Sequence, residues 1–168
     1  MTFEAMLTGG HPNSLGRTLE VVDAVLADRA LLPPLLDTYR SDDEVVRLRT
    51  SNAVKRVTVE HPDWTVEHMD RLQGEVAGID QASTQWTLAL IFDLTWDLLN
   101  ATERARALEI MRTNLAEHDD WIVLNNSMKV LAKRDPDRAA LKPLIEGRVD
   151  DERKSVRSQA AKALKAIA

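Results

Sequence analysis

Apolar side chains recur every three or four positions along almost the whole of this 168-residue chain. One example is the series Val66, Met69, Leu72 and Val76. This spacing matches the 3.6-residue turn of an α-helix and places the apolar side chains on one face. No segment alternates apolar and polar residues between hairpin turns, so strands are not required. The sequence therefore predicts an all-α protein.

Capping patterns and breaks divide the chain into ten helical segments with short connectors. Ser41 with Glu44 and Asn100 with Glu103 both fit the capping box, in which two side chains satisfy the first free N–H groups of a helix. Asp135 stands before a proline and is a candidate N-cap. We predict five helix pairs. Their first members lie near 2–8, 31–40, 65–77, 102–117 and 137–146, and their second members near 15–27, 43–58, 82–98, 121–134 and 153–167.

The charge balance is acidic and uneven. The chain carries 22 basic and 27 acidic residues, a net charge of −5. Residues 1–84 hold 8 basic and 14 acidic groups (−6), and residues 85–168 hold 14 and 13 (+1). Duplex nucleic acid binds concentrated positive surfaces, so we do not expect it as a partner.

Several classes of site and location are excluded or disfavoured. The chain has no cysteine, which excludes disulfides, thiolate catalysis and Cys-based zinc sites and suits a cytoplasmic location. No His-Glu-x-x-His element is present, and we expect neither a metal nor a cofactor. The N-terminus lacks the features of a signal peptide, and the longest apolar stretch, 88–92, is too short for a membrane span.

Two parts of the chain share a pattern. Pro34-Leu35-Leu36 aligns with Pro143-Leu144-Ile145, and the segment 42–47 aligns with 150–157. The final helix reads Val156-Arg157-Ser158-Gln159-Ala160-Ala161-Lys162-Ala163-Leu164. This pattern resembles the HEAT repeat of the armadillo-type superhelical proteins. In the middle units Trp86 and Leu124 replace the arginine of the family, so those units fit by helix spacing.

The resemblance implies a fold and a place for partners. The expected fold is a right-handed HEAT-like α-α superhelix of about five helical pairs, forming one domain over residues 1–168. It implies a structural ladder in which Asp43 pairs with Arg47 and Asp151 with Arg157. It also places partner binding on the concave side, which the second helices line. The candidate positions there are Arg49, Asn52, Arg56, Asn125, Asn126, Lys129, Gln159 and Lys162.

The central helix, 82–98, is apolar nearly all round, so we expect it to be buried in the middle of the array. Its two acids, Asp93 and Asp97, are four residues apart and share a face. They could hold a divalent metal or share a proton, or each could pair with a cation such as Arg47, Arg56 or Lys129. Since buried charges are usually paired, we expect the structural role.

We expect a non-enzymatic scaffold that docks a protein or peptide, because a fold by itself carries no activity. An alternative comes from Trp86 and an acid on one helix, which resemble the aromatic and acidic cleft of the HEAT-like DNA alkylation-repeat glycosylases. A second alternative is a chaperone similar to the HEAT-like phycobilin lyases. The sequence leaves the oligomeric state open.

Overall fold

The computed structural model describes residues 1–168 and contains eleven α-helices and no strand, which confirms the all-α prediction. Short 3₁₀ turns adjoin α3 and follow α7, and a π-helical turn, Leu72–Val76, follows α6. None of the helices combines the length and apolar character that a membrane crossing requires. The helices are α1 (Phe3–Leu7), α2 (Thr18–Ala27), α3 (Leu32–Asp37), α4 (Glu44–Glu60), α5 (Pro62–Val66), α6 (Met69–Arg71), α7 (Ala82–Thr95), α8 (Ala101–Glu117), α9 (Trp121–Arg134), α10 (Arg138–Glu146) and α11 (Lys154–Ile167).

The predicted second helices pack against one another in chain order. Helix α2 contacts α4, α4 contacts α7, α7 contacts α9, and α9 contacts α11. Arg47, near the start of α4, bonds Gln81 at the start of α7, and Asp93, near the end of α7, bonds Arg134 at the end of α9. Helices α4, α7 and α9 therefore run in the same direction. The remaining helices pack on the other side of this layer, where α8 contacts α10 and the π-helical turn.

One hydrophobic core of 35 buried residues extends from Leu7 to Ala163. Its centre includes Ile91 and Phe92 of α7, which are fully buried. Most residues of this helix are buried as predicted, but Leu94 is 43% exposed and Leu98, in the turn that follows, is 51% exposed. Helices α4, α9, α5 and α8 pack around α7, but no helix covers the side that carries Leu94.

Helix starts follow the predicted chemistry in one case and differ in two. Asn100 and Glu103 form the full capping box, with both bonds at 2.9 Å. At α4 the cap is Asp43, whose carboxylate accepts from the Val45 N–H at 2.8 Å, and not Ser41. Asp135 ends α9, and the cap of α10 is Asp137.

The expected Asp–Arg ladder does not form. Arg47 donates to the carbonyl oxygen of Ser41 at 2.6 Å, and Arg157 donates to the carbonyl of Asp151 at 2.7 Å. The Asp43 side chain instead accepts from backbone N–H groups and Thr8, and the Asp151 side chain pairs with Arg153. The aligned arginines are nevertheless equivalent, since each holds the carbonyl group six residues before it.

Arginines and a glutamine also tie neighbouring units together. Arg47 donates to Gln81 at 2.7 Å, and the Gln81 amide donates to the carbonyl of Glu44 at 3.0 Å. Arg148 donates to the carbonyl of Leu115 at the end of α8, at 2.7 Å. The Leu115 carbonyl lies in the last turn of α8, where carbonyl groups lack intrahelical partners, whereas the Glu44 carbonyl lies in the first turn of α4.

The most buried acid is Asp135, whose side chain is fully inaccessible. It receives two hydrogen bonds from Arg112, at 2.7 and 2.6 Å. Such a bidentate pair is strong, but removal of one partner leaves the other without compensation. The hydrogen bond to Asp135 raises the pKa of the Arg112 guanidinium above its ordinary value.

We expect Asp135→Asn to lower the free energy of unfolding by about 3 kcal/mol, because it removes the charge that compensates Arg112. Urea unfolding followed by circular dichroism measures this change. The matched control is Asp97→Asn, at an acid whose side chain is 89% exposed, where the change should stay below about 0.5 kcal/mol. Equal effects at the two positions would contradict the assignment.

Candidate functional site

The solvent-facing side of α2, α4 and α7 carries several exposed apolar side chains. Leu19, Val59 and Leu94 are 43–56% exposed. Trp86 and Leu90 of α7, which precede Leu94 by two turns and one turn, are partly exposed. We call the solvent-exposed side of the packed helices α2, α4, α7, α9 and α11 the second-helix face. Leu19 and Val59 line one groove on this side, and exposed apolar side chains that gather in a patch are typical of a binding surface.

A cavity of about 300 Å³ opens on this face beside Trp86, and we call it the Trp86 pocket. Leu48 and Asn52 of α4 line it together with Trp86. Its remaining wall is the loop between α1 and α2, through residues 12–15. Its lining contains no carboxylate. The pocket therefore offers an aromatic ring, aliphatic side chains and the two amides of Asn13 and Asn52.

Arg49 holds the loop that forms this wall. The side chain was expected to face a partner, but the structure buries it to 2% exposure, so that prediction is wrong. Its guanidinium donates to four backbone carbonyl oxygens of the loop and of the end of α1. The acceptors are Leu7 at 2.6 Å, Gly9 at 2.6 Å, His11 at 3.2 Å and Ser14 at 3.1 Å. Arg49 therefore positions the wall of the pocket.

Gly16 makes room for this guanidinium. Its φ of +51° is in the left-handed region, which favours glycine. A Cβ at this position would lie 2.9 Å from the Cζ of Arg49. Both the backbone conformation and the close approach therefore require glycine here.

We expect Gly16→Ala to destabilise the protein by about 1–2 kcal/mol, through backbone strain and displacement of Arg49. Urea unfolding measures the loss, and hydrogen exchange should show faster exchange confined to residues 8–17. Gly74→Ala is the control, because a Cβ there meets nothing within 4 Å. A Gly16→Ala variant as stable and as protected as the wild type would refute this role of Arg49.

The other predicted partner-binding residues lie at or near the second-helix face. Arg56 is exposed and donates to the Asn52 side chain at 2.7 Å. Lys129 of α9 and Lys162 of α11 are exposed, and neither forms an ion pair. Gln159 is half-buried.

The two adjacent asparagines of α9 are also half-buried. The Asn125 side-chain oxygen is buried without a hydrogen-bond partner, so it makes no bond to a neighbouring helix. Asn126 makes no side-chain hydrogen bond in the structure. Trp86, Asn126 and Gln159 are the fifth or sixth residues of α7, α9 and α11, which are neighbouring helices.

Asp93 and Asp97 do not form a joint site. Asp93 is half-buried and pairs with Lys133 at 3.0 Å and Arg134 at 2.7 Å. These cations differ from the three expected at the sequence level. Asp97 is exposed, and its carboxylate lies 3.8 Å from the guanidinium of Arg134. Neither acid lines the Trp86 pocket.

Burial alone would raise the pKa of Asp93, but hydrogen bonds from Lys133 and Arg134 outweigh it and hold the pKa below its ordinary value. The ion pairs therefore contribute stability that is present above the unfolded-state pKa, about 3.9. That contribution is lost as the pH falls through the lower pKa of the folded protein.

We expect Asp93→Asn to cost about 1 kcal/mol at neutral pH, since the pair is partly solvated. The difference from the wild type should shrink once the pH falls below about 4, where Asp93 of the unfolded chain begins to be protonated before Asp93 of the folded protein. Unfolding curves collected across this pH range test the expectation. A difference that does not change with pH would mean that the carboxylate charge is not what stabilises this contact.

The sequence did not identify two parts of the site. Leu15 and Leu19 fit the helical apolar pattern, which predicted a buried stripe, but they are 39% and 47% exposed. The loop wall was not foreseen as part of a site at all. Its glycines and the nearby arginine were the only signals, and their contact depends on the tertiary fold.

Comparisons with protein-family models, with curated proteins and with solved structures found no match to this chain. The function is therefore inferred from its own residues and geometry.

Proposed function

We propose that this protein is a non-enzymatic docking protein whose second-helix face binds a peptide segment of a partner. The observation that carries the proposal is the Trp86 pocket, set among exposed apolar side chains on the side of α7 that no helix covers. Aromatic side chains beside a pocket are frequent anchors of binding energy. A peptide with one apolar anchor residue fits such a pocket.

Amide side chains near the pocket suit a peptide backbone. A carboxamide has both a donor and an acceptor, which match the C=O and N–H of a peptide group. Asn52 of α4 lines the pocket, and Asn126 of α9 and Gln159 of α11 lie at helix positions similar to that of Trp86 on α7. This arrangement supports binding along the line from α4 to α11.

The same proposal includes the architecture. We infer a right-handed HEAT-like superhelix, because the second helices pack in chain order and the equivalent arginines Arg47 and Arg157 make the same contact in two units. A stack of helix pairs buries a continuous core and leaves an extended surface for partners. We keep a cytoplasmic location in the proposal because the chain has no cysteine.

The pocket favours docking over a glycosylase-type activity. Acid–base catalysis on a nucleobase needs a carboxylate or a histidine within hydrogen-bond reach of the substrate. The lining of the Trp86 pocket has neither, and Asp93 is engaged by two cations elsewhere on the helix.

Selection of short random peptides displayed on phage against the immobilised full chain tests the proposal. We expect selected peptides to lose about 30-fold in affinity on Trp86→Ala, the effect of removing a ~2 kcal/mol anchor. They should bind normally to the control Arg106→Ala, which alters an exposed residue of α8.

Thermal melting must show that both variants stay folded. The proposal fails if no peptide is enriched, or if the enriched peptides bind the Trp86→Ala variant as tightly as the wild type.

A further inference from the structure

We propose that the peptide bound at the second-helix face is acidic, with an apolar anchor in the Trp86 pocket and carboxylates facing Arg56 and Lys129. This inference rests on the proposed function and specifies the chemistry of the partner. It begins from the cations near the pocket, which the fold leaves without acidic partners.

The cations of the second-helix face lie in the middle of three helices. Lys55 and Arg56 belong to α4, Lys129 to α9 and Lys162 to α11. None of them forms an ion pair, and the only side-chain partner of Arg56 is the neutral Asn52. Elsewhere most arginines of this acidic protein are paired or bonded to carbonyl groups. Arg56 is the one arginine that bonds neither a carboxylate nor a backbone carbonyl oxygen, whereas Lys154 and Lys165 of α11 also have no ion pair.

The acids near the face do not cancel this charge at the pocket. Asp93 is already paired with Lys133 and Arg134. Asp23 and Glu60 line a separate groove between α2 and α4 together with Lys55 and Arg56, but neither acid forms an ion pair with these cations. Glu44 stands at the first turn of α4 and lies outside the pocket lining. The Trp86 pocket itself contains only the positive charge of Arg49.

The register of the helices places a cation beyond the pocket on each side. Arg56 lies one helical turn after Asn52, which lines the pocket. Lys129 follows Asn125 and Asn126 by about one turn of α9. It is the ninth residue of α9, as Leu90, one turn after Trp86, is the ninth residue of α7. A peptide that seats one apolar side chain beside Trp86 would therefore place its flanking residues near these cations.

Two electrostatic effects oppose each other here. The net charge of −5 repels an acidic partner, whereas the nearby cations attract it. At physiological salt, charges are screened over about 8 Å, so the local cations dominate once the peptide is on the surface. Complementary charge of this kind gives specificity and speeds association more than it adds affinity.

The phage selection gives the first test, through the composition of the enriched peptides. We expect Asp or Glu within a few residues of an apolar anchor. Binding of a synthetic enriched peptide, measured by fluorescence anisotropy, should weaken about tenfold on Lys129→Glu. It should also weaken as salt is raised.

A charge swap makes the test specific. A peptide in which Lys replaces the acidic residue should bind the Lys129→Glu variant better than it binds the wild type. Lys142→Glu is the matched control, because it makes the same change of charge at an exposed residue of α10 and should leave the affinity unchanged.

The outcomes separate this inference from the proposed function. Peptides that depend on Trp86 but are neutral or basic, and that ignore Lys129→Glu, overturn the inference and leave the docking surface in place. Failure to obtain any Trp86-dependent peptide overturns both. A labelled oligouridylate that binds more tightly than the acidic peptides, with the same loss on Lys129→Glu, would assign the cations to a nucleic acid and overturn the inference.

Discussion

Each long helix of this protein has more apolar surface than one neighbour can cover, and the rest of the structure depends on that excess. A helix pair that stood alone would leave this surface in water, at a cost of about 25 cal/mol for each Å² exposed. Stacking in chain order gives α7 a neighbour on both sides, α4 and α9, and a further layer beneath it. Its fourth side stays open. The open side is therefore a consequence of the architecture, and the exposed leucine and tryptophan side chains on it are where a partner can complete the burial.

Arginines donate to backbone carbonyl groups both within a helix pair, at Arg47 and Arg157, and between neighbouring pairs, at Arg49 and Arg148. Arg47, Arg49, Arg148 and Arg157 all bond carbonyl oxygens of turns or helix ends. This choice follows from the short connectors. A short turn between two helices leaves carbonyl groups without intrahelical partners, and the fork of a guanidinium reaches several of them at once. The carboxylates of the same turns are used differently, as helix caps and Asx-type acceptors, as in Asp43 and Asp137.

The sequence predicted the long helices well, because the evidence for them is local, but the helix predicted at 65–77 divides into Pro62–Val66, Met69–Arg71 and a π-helical turn. The apolar period and the Asn100 capping box involve residues close together in the chain, and the segments found near 121–134 and 138–146 match those expected. The side-chain pairings were predicted less well. Asp93 was expected to pair with other cations, and Arg49 was expected at the surface. The position of a charged residue along a helix does not reveal which neighbour its side chain will face. Burial of Arg49 depends on where a glycine-containing loop folds back, which is a long-range event.

The loop between α1 and α2 gives the first two helices a role that the later helices do not share. It is the longest connector of the chain, and Arg49 fixes it from the adjacent α4. Since the loop also walls the Trp86 pocket, the same buried guanidinium links the stability of the first helix pair to the shape of the pocket. The second-helix face continues from α2 to α11, and the loop between α1 and α2 borders it at the Trp86 pocket. The loop between α1 and α2 therefore sets the position of the pocket. The packing of α2, α4, α7, α9 and α11 in chain order sets the extent of the surface around it.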